Sequence, residues 1–426
     1  MPIPSLSRFL LSATALLVFF ACAYGASVRW ANPPAGASNR PASSLTSSTT
    51  PTGRVDAITQ VSPPRPVIDA PVHDSTGLAT ARIHVAAPTQ RYVGNVGGEP
   101  ATVALRWVRP DSVVGTCFLW RRDTAYPLTT ASRRQPGRLQ LAEPVTIYHQ
   151  PPTEPVASLG YWQLTSGPGP QLRGYWRDAS GRQLPLVLHE SYQGAVRYTV
   201  ETFAVVGPFT QQTQRRPTHA SDFLRLLGPA AHSPLARELY PSRAERRALV
   251  LDNEGEAFCT STIEVKLNDF DLLSYYQFDV IDPFEGQNDL GLTATLLDLR
   301  TGRELSVASQ LRPGYQQPLR RLLTWQLQHN PQCNYLEPGQ HPADARAWGW
   351  RDARGQLTSL VSLPTNGEAL ALTGPGLEAT YYGDTLFGGG EPSEPRYSVL
   401  VPYQALRPLV RPGTPLARML QARGLW

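Results

Sequence analysis

The sequence predicts a mainly β chain with an α+β part: an antiparallel β-barrel-like domain followed by an α+β domain, an antiparallel sheet with a packed helix. Three observations predict it. Short alternating apolar runs recur about every 8 to 12 residues between Arg91 and Phe209, separated by Gly or Pro. The 426 residues include 41 Pro and 34 Gly and only 17% charged side chains, a balance that suits turn-rich β structure. Between Phe270 and Leu327 the pattern changes period. Leu292, Ala294 and Leu296 alternate, Arg300-Thr301-Gly302 turns the chain toward Leu305 and Val307, and Leu319, Leu322, Leu323 and Leu327 then fall on one helical stripe with Pro318 near the first turn.

Taken in order, the chain opens with an address. Arg8 precedes an apolar run from Phe9 to Tyr24, and Ala23-Tyr24-Gly25 offers small residues at a cleavable spacing. The run is short for a membrane span, so residues 1–25 are expected to be an export signal. Phe19-Phe20-Ala21-Cys22 resembles a bacterial lipoprotein box, with Phe19 where Leu is usual. Lipidation at Cys22 and plain secretion both remain open, and either places the mature chain in the periplasm, at the outer membrane or cell surface, or outside the cell. Residues 26–85, rich in Ser, Thr and Pro, read as a disordered tether.

Residues 86–209 form the predicted β domain. RYVGNVGGEPATVALRWV gives two strands across a turn at Gly97-Gly98, and Val113 to Trp120 gives a third. PLTTA, GRLQLAE, GYWQL, LRGYW and QLPLVLHE follow as further strands. Two Gly-aromatic pairs, Gly160-Tyr161-Trp162 and Gly174-Tyr175-Trp176, recur on successive hairpins. Such rings fill cores, but a row of them also makes a sugar- or peptide-binding face, so Tyr161, Trp162, Tyr175 and Trp176 are the candidate ligand-binding residues.

Residues 210–255 read as a helical connector, with FLRLLG and PLARELYPSRAERRALV as short helical pieces. Residues 256–426 form the α+β domain. Its strands run over Ser261–Leu267 and Leu273–Val280, then the hairpin and helix above, then LVSLP, EALALTGPGLEATYYG and RYSVLVPY, with a last helix from Gln404 to Leu409.

The formal charge of +5 comes almost wholly from Arg, and Lys266 is the sole Lys. The densest groups, Arg121-Arg122, Arg215-Arg216 and Arg243 to Arg247, are too short and too separated for a nucleic-acid stripe, so no nucleic-acid partner is expected. A lipid at Cys22 would be the only membrane contact. Of the four Cys, Cys22, Cys117, Cys259 and Cys333, an oxidising compartment permits a Cys259–Cys333 disulfide, and Cys117 in VVGTCFLW suits a buried apolar position.

Chemistry-bearing motifs are sparse. The eight His stand singly without H-x-x-x-H or H-E-x-x-H spacing, and neither a C-x-x-C pair nor G-x-S-x-G occurs. Gly94-x-x-Gly97-Gly98 sits in continuing alternation and reads as a hairpin turn rather than a nucleotide loop. Asp282, Glu285 and Asp289 could hold calcium, although the spacing fits no EF-hand and a solvated acidic loop explains them more simply. Asp269 and Asp271, alternating around Phe270, are expected on the outer face of a strand for solubility rather than as an acid–base pair. No catalytic residue, metal or cofactor is assigned.

Two resemblances add to this. Tyr92, Gly94, Val96, Gly97, Val103, Leu105, Val113, Gly115, Leu139, Leu141, Glu143, Gly160, Trp162, Gly174, Trp176 and Leu186 match the pattern of a β module common in secreted bacterial proteins, with Cys117 where that pattern has an aromatic. Residues 256–420 resemble the extracellular domain of RsiV-type anti-sigma factors, also found in some peptidoglycan deacetylases. The resemblance rests on SYYQFDV, LLDLRTGRELSVASQL, PLRRLLTWQL, LEATYY and VLVPYQALRPL, and departs from it at Pro283 to Asp289. It implies a lysozyme-type or peptidoglycan-linked ligand and lends no site residues. The chain itself is not expected to be an anti-sigma factor, since so little precedes the apolar run.

The reading is therefore a non-catalytic exported envelope protein that binds a cell-wall polysaccharide or a protein such as a lysozyme-type ligand. A wall-acting hydrolase or deacetylase is the second reading. An envelope scaffold without a small ligand is the third.

Overall fold

The computed structural model describes residues 80–109, 112–122, 125–130, 139–144, 158–165, 169–178, 180–206, 218–251, 258–282, 289–329, 359–364, 369–382 and 396–426. The signal, Cys22 and residues 26–79 of the expected tether lie outside them, as do Cys333 and Glu285; residues 80–85, expected to be disordered, instead form a strand that pairs with Glu201 to Val206. The side chains of Asp282 and Asp289 are likewise not described. No helix among the described residues is long and apolar enough to cross a membrane.

The first strands are β1 (Thr80–Val85), β2 (Thr89–Val96), β3 (Glu99–Arg109), β4 (Ser112–Leu119), β5 (Ala125–Thr130), β6 (Leu139–Pro144), β7 (Ser158–Leu164), β8 (Gln171–Asp178) and β9 (Gln183–Glu190). From β2 to β9 each pairs antiparallel with the next, and β9 then pairs with β2 from Tyr92↔Glu190 to Val96↔Leu186. β2 to β9 curl until β9 meets β2, the barrel-like shape predicted, although the sheet as a whole is not a closed barrel. Alternation decides what the curl encloses: Tyr92, Val103, Leu105, Leu128, Leu141, Trp162 and Leu188 are among the side chains packed inside. Tight curling also needs bare positions. A Cβ at Gly94 would stand 2.1 Å from the Val187 carbonyl oxygen, and one at Gly174 would stand 2.0 Å from that of Gln163.

The sheet does not stop at the barrel. It continues through β10 (Arg197–Val206), β11 (Thr218–Leu227), β12 (Phe258–Asp269), β13 (Leu272–Asp282), β14 (Asp289–Asp298) and β15 (Arg303–Glu304), with β1 on β10, so the 15-stranded whole is open. β11 and β12 pair in parallel and the other pairs are antiparallel. FLRLLG, expected to be helical, mostly lies in β11, because pairing with β10 from Phe223↔Glu201 to Leu227↔Arg197 outweighs the local preference of a Leu-rich run. Helices α1 (Pro234–Leu239) and α2 (Arg243–Leu251) follow the expected sequence segments.

A second layer, β16 (Leu370–Leu372), β17 (Gly376–Tyr382) and β18 (Arg396–Pro402), packs with α3 (Gln316–His329) over β12–β14. Leu319, Leu323 and Leu327 of the predicted stripe are fully buried there. LVSLP is not a strand, although Val361 still enters the core. The limb after Gly302 pairs only at Arg303–Glu304, then winds into a 3-10 turn at Val307–Gln310. The expected last helix is split into α4 (Tyr403–Leu406) and a 3-10 turn, and a further helix, α5 (Pro415–Ala422), follows.

One hairpin tip joins the barrel to the rest. Phe270 and Asp271 take φ of 54° and 63°, as a two-residue type I′ loop demands of both residues. The tip enters the outer side of β2–β4. Arg91 donates to the Asp269 carboxylate and to the Ser191 carbonyl, Thr102 Oγ1 donates to Asp269 Oδ2 at 2.6 Å, and Trp120 meets Phe270 edge-on at 5.0 Å. Asp269, expected on an exposed strand face beside Asp271, is instead 2% exposed, because the turn falls between the two residues. Burial pushes its carboxyl up, while Arg91, Thr102 and the Phe270 amide pull it down. A second clamp stands on β4: Arg423 donates to the carbonyls of Trp120 and Gly374 at 3.0 and 2.8 Å.

Two outcomes test this frame. Arg91→Met, which strands a buried carboxylate, is expected to lower stability by about 3–5 kcal/mol in urea unfolding, and adding Asp269→Asn should recover part of that loss. His219, buried on β11 beside Cys259 of β12, has its imidazole held below the ordinary 6.5 by burial. Below about pH 6.5 the unfolded chain takes up a proton at this site before the folded one does, so stability falls as pH is lowered. Denaturation midpoints between pH 7.5 and 5 should show a shallower fall for His219→Leu than for the parent.

Candidate functional site

The two Gly-aromatic pairs lie on neighbouring strands, β7 and β8, and strand alternation splits each pair between two faces. Trp162 stands opposite Trp176, and both turn inward. Trp162 is 1% exposed and belongs to the barrel core, with Trp176 packed partly buried against it. Tyr161 and Tyr175 turn outward, and Tyr175 is 49% exposed. The structure therefore gathers the four predicted rings into two sets, an inner Trp pair and an outer Tyr pair.

The outer set lies on a polar sheet face. Tyr161 pairs across the strands with Arg177, and Gln163 with Tyr175. Tyr175 in turn faces Pro185 of β9, Arg173 faces Val187, Arg177 faces Gln183 and Gln171 faces His189. The register thus sets Tyr175 midway between Arg173 and Arg177 on one strand, edged by glutamines. This side of the barrel carries no docked element among the described residues, whereas the outer side of β2–β4 is covered through Arg91, Thr102 and Trp120. A ring with open faces among amide and guanidinium donors can stack on an apolar ligand surface while its neighbours hydrogen-bond the rim.

The inner set borders a small cavity of about 40 Å³ at one end of the lumen, lined by Cys117, Tyr126, Trp162 and Trp176, with Glu99 and Arg122 at its rim. Arg122 grips Glu99 at 2.8 Å, and hydrogen bonding to that carboxylate raises the guanidinium pKa further. The Trp176 Nε1 is buried there without a hydrogen-bond partner among the described residues. The space admits a few waters.

Another constellation surrounds Lys266. It sits where the β12–β13 register shifts between Val265 and Leu267, so the bulge aims its ammonium over the Tyr276 ring at 5.2 Å, with Glu264 at 2.9 Å and Glu378 at 3.3 Å. Burial opposes the charge, but the two carboxylates outweigh it and hold the ammonium above its ordinary 10.5. A protonated amine is the wrong state for a nucleophile, and the geometry suits an ionic link between β12 and β17. Lys266 was conspicuous in sequence as the only Lys, whereas the bulge and the distant Glu378 were not legible there.

Cys259 is buried, and its expected disulfide partner Cys333 lies outside the described residues, as does the lipidation candidate Cys22. Cys117 is buried in the barrel core. Among the described residues no group of three or more His, Cys, Asp or Glu side chains is placed to hold a metal.

No family model matches the chain, and no curated protein matches it. Solved structures of DUF3298 family proteins, a domain of unknown function, do match in part. One, from Pseudomonas aeruginosa PAO1, is 16% identical with a TM-score of 0.33, covering 49% of this chain and 91% of its own. Another, from Bacteroides fragilis, is 12% identical with a TM-score of 0.37, covering 53% and 98%.

The two faces should separate in mutagenesis. Trp162→Ala is expected to cost about 3–5 kcal/mol of stability in chemical denaturation. Tyr175→Ala, on the open face, should stay within about 0.5 kcal/mol of the parent.

Proposed function

We propose that this is an exported envelope protein that binds a cell-wall polysaccharide on the outer face of β7–β9 without transforming it. The observation that carries the reading is the outward pair Tyr161 and Tyr175, set among Arg and Gln side chains on the barrel side away from the docking hairpin. Sugar rings present C–H faces that stack on aromatic rings and hydroxyls that meet amides and guanidinium groups. The leader-like residues 1–25 support export, with Cys22 lipidation as one means of retention at the surface. The resemblance of residues 256–420 to the RsiV-type extracellular domain supports a wall-linked ligand. A lysozyme-type protein is the competing ligand that this resemblance suggests.

Retention of the mature chain on peptidoglycan sacculi and on immobilised lysozyme tests the proposal. Sacculi should retain the parent, and a folded Tyr161→Ala/Tyr175→Ala variant should elute several-fold earlier. Retention by lysozyme alone, or sacculus retention unchanged in the variant, would remove the glycan face from consideration.

A further inference from the structure

We infer that the glycan bound on this face is anionic, a polysaccharide bearing carboxylates. The inference rests on the polysaccharide reading above and adds the charge of the ligand. Arg173 and Arg177 project from β8 on either side of Tyr175, and both are exposed. Neither has an ion-pair partner among the described residues, unlike Arg91, Arg122, Arg225 and Arg246, which each meet a carboxylate. The cross-strand neighbours of the two arginines on β7 and β9 are Tyr161, Gln183 and Val187, and the rest of the outward row is Gln163, Pro185 and His189. No described outward position of β7, β8 or β9 carries an acid. The face therefore presents two guanidinium groups without a carboxylate partner among the described residues, carried on strand positions about 13 Å apart, with an aromatic platform between them. Guanidinium forks match carboxylates in a bidentate manner, and the ring between them suits the sugar that joins two charged units. Two cations make a poor nucleic-acid surface, which calls for a longer basic stripe.

Polygalacturonate is the probe, compared with the same polymer after carboxyl reduction and with single-stranded DNA, using affinity electrophoresis and calorimetry on the mature chain. The parent should bind polygalacturonate, lose affinity as salt rises, and bind the reduced polymer at least about tenfold more weakly. Arg173→Gln/Arg177→Gln should lose about tenfold or more on polygalacturonate, the loss expected when two charge-assisted contacts go, with an unchanged melting temperature as the folding control. Equal binding of the reduced polymer, tighter binding of DNA, or full affinity in the arginine variant would each overturn the inference. If sacculus retention depends on the two tyrosines while the arginine variant behaves as the parent, the charge assignment falls and the polysaccharide reading stands. If neither pair matters, both fall.

Discussion

Arg91 and Asp269 are taken out of water together, and the relation between the barrel and the β12–β13 hairpin depends on that pair. Removing two charges from solvent costs several kcal/mol each unless nearly every polar atom finds a partner. Here Thr102 Oγ1 and the Phe270 amide also donate to the carboxylate, and the Ser191 carbonyl accepts from the guanidinium. Those contacts are reachable only because the chain reverses at Phe270-Asp271 with both residues at positive φ, an unusual state for a bulky ring. The Trp120 ring and the Gly194 carbonyl, which accepts from the Asp271 amide at 2.7 Å, hold the turn in place. Local strain persists where the surroundings over-determine it, and this tip has contacts on every side.

The dock also determines which part of the barrel meets solvent. Each barrel strand has a lumen face and an outer face. On β2–β4 the outer residues Arg91, Thr102 and Phe118 are buried, the last of them beneath Arg423 and Gly374. The same parity on β8 and β9 yields Arg173, Tyr175, Arg177 and Val187, all exposed. One side of the barrel is thus committed to holding the chain together, and the other is left uncovered by any described element.

How legible this was in sequence varied with the kind of signal. The barrel strands were readable because their period is two and Gly or Pro punctuates them. The same period sends Tyr161 and Trp162, and Tyr175 and Trp176, to opposite faces, yet all four rings are expected on one candidate face when each Gly-aromatic pair is read as a unit. FLRLLG reads as helical because a short Leu-rich run has no decisive period, and the register that pairs it with β10 does not show in the run itself. Asp269-Phe270-Asp271 hid a turn because it lacks the Asn-Gly or Asp-Gly pair that normally marks a two-residue loop. The Lys266 bulge was invisible for a similar reason: an extra residue in one strand shows only against the register of its partner.

The filling of the lumen bears on what kind of ligand this fold can take. Small-molecule sites enclose roughly 300–1,000 Å³ and bury most of the ligand. Among the described residues, side chains of the barrel strands pack the interior, and the cavity beside Trp162 and Trp176 holds about 40 Å³, too little for a single sugar ring. On the proposed binding reading, contact with a ligand falls to the outside, where a sheet face is broad and shallow. Such a face surrounds no small ligand, but it can contact successive units of a long one through residues repeated along a strand. Arg173, Tyr175 and Arg177, at every second position of β8, have that repeat. An extended polymer gains from it by engaging several weak contacts at once, since once one unit is held the next is already at high local concentration. On the proposed reading, a face of this shape suits a chain-like ligand better than a compact one.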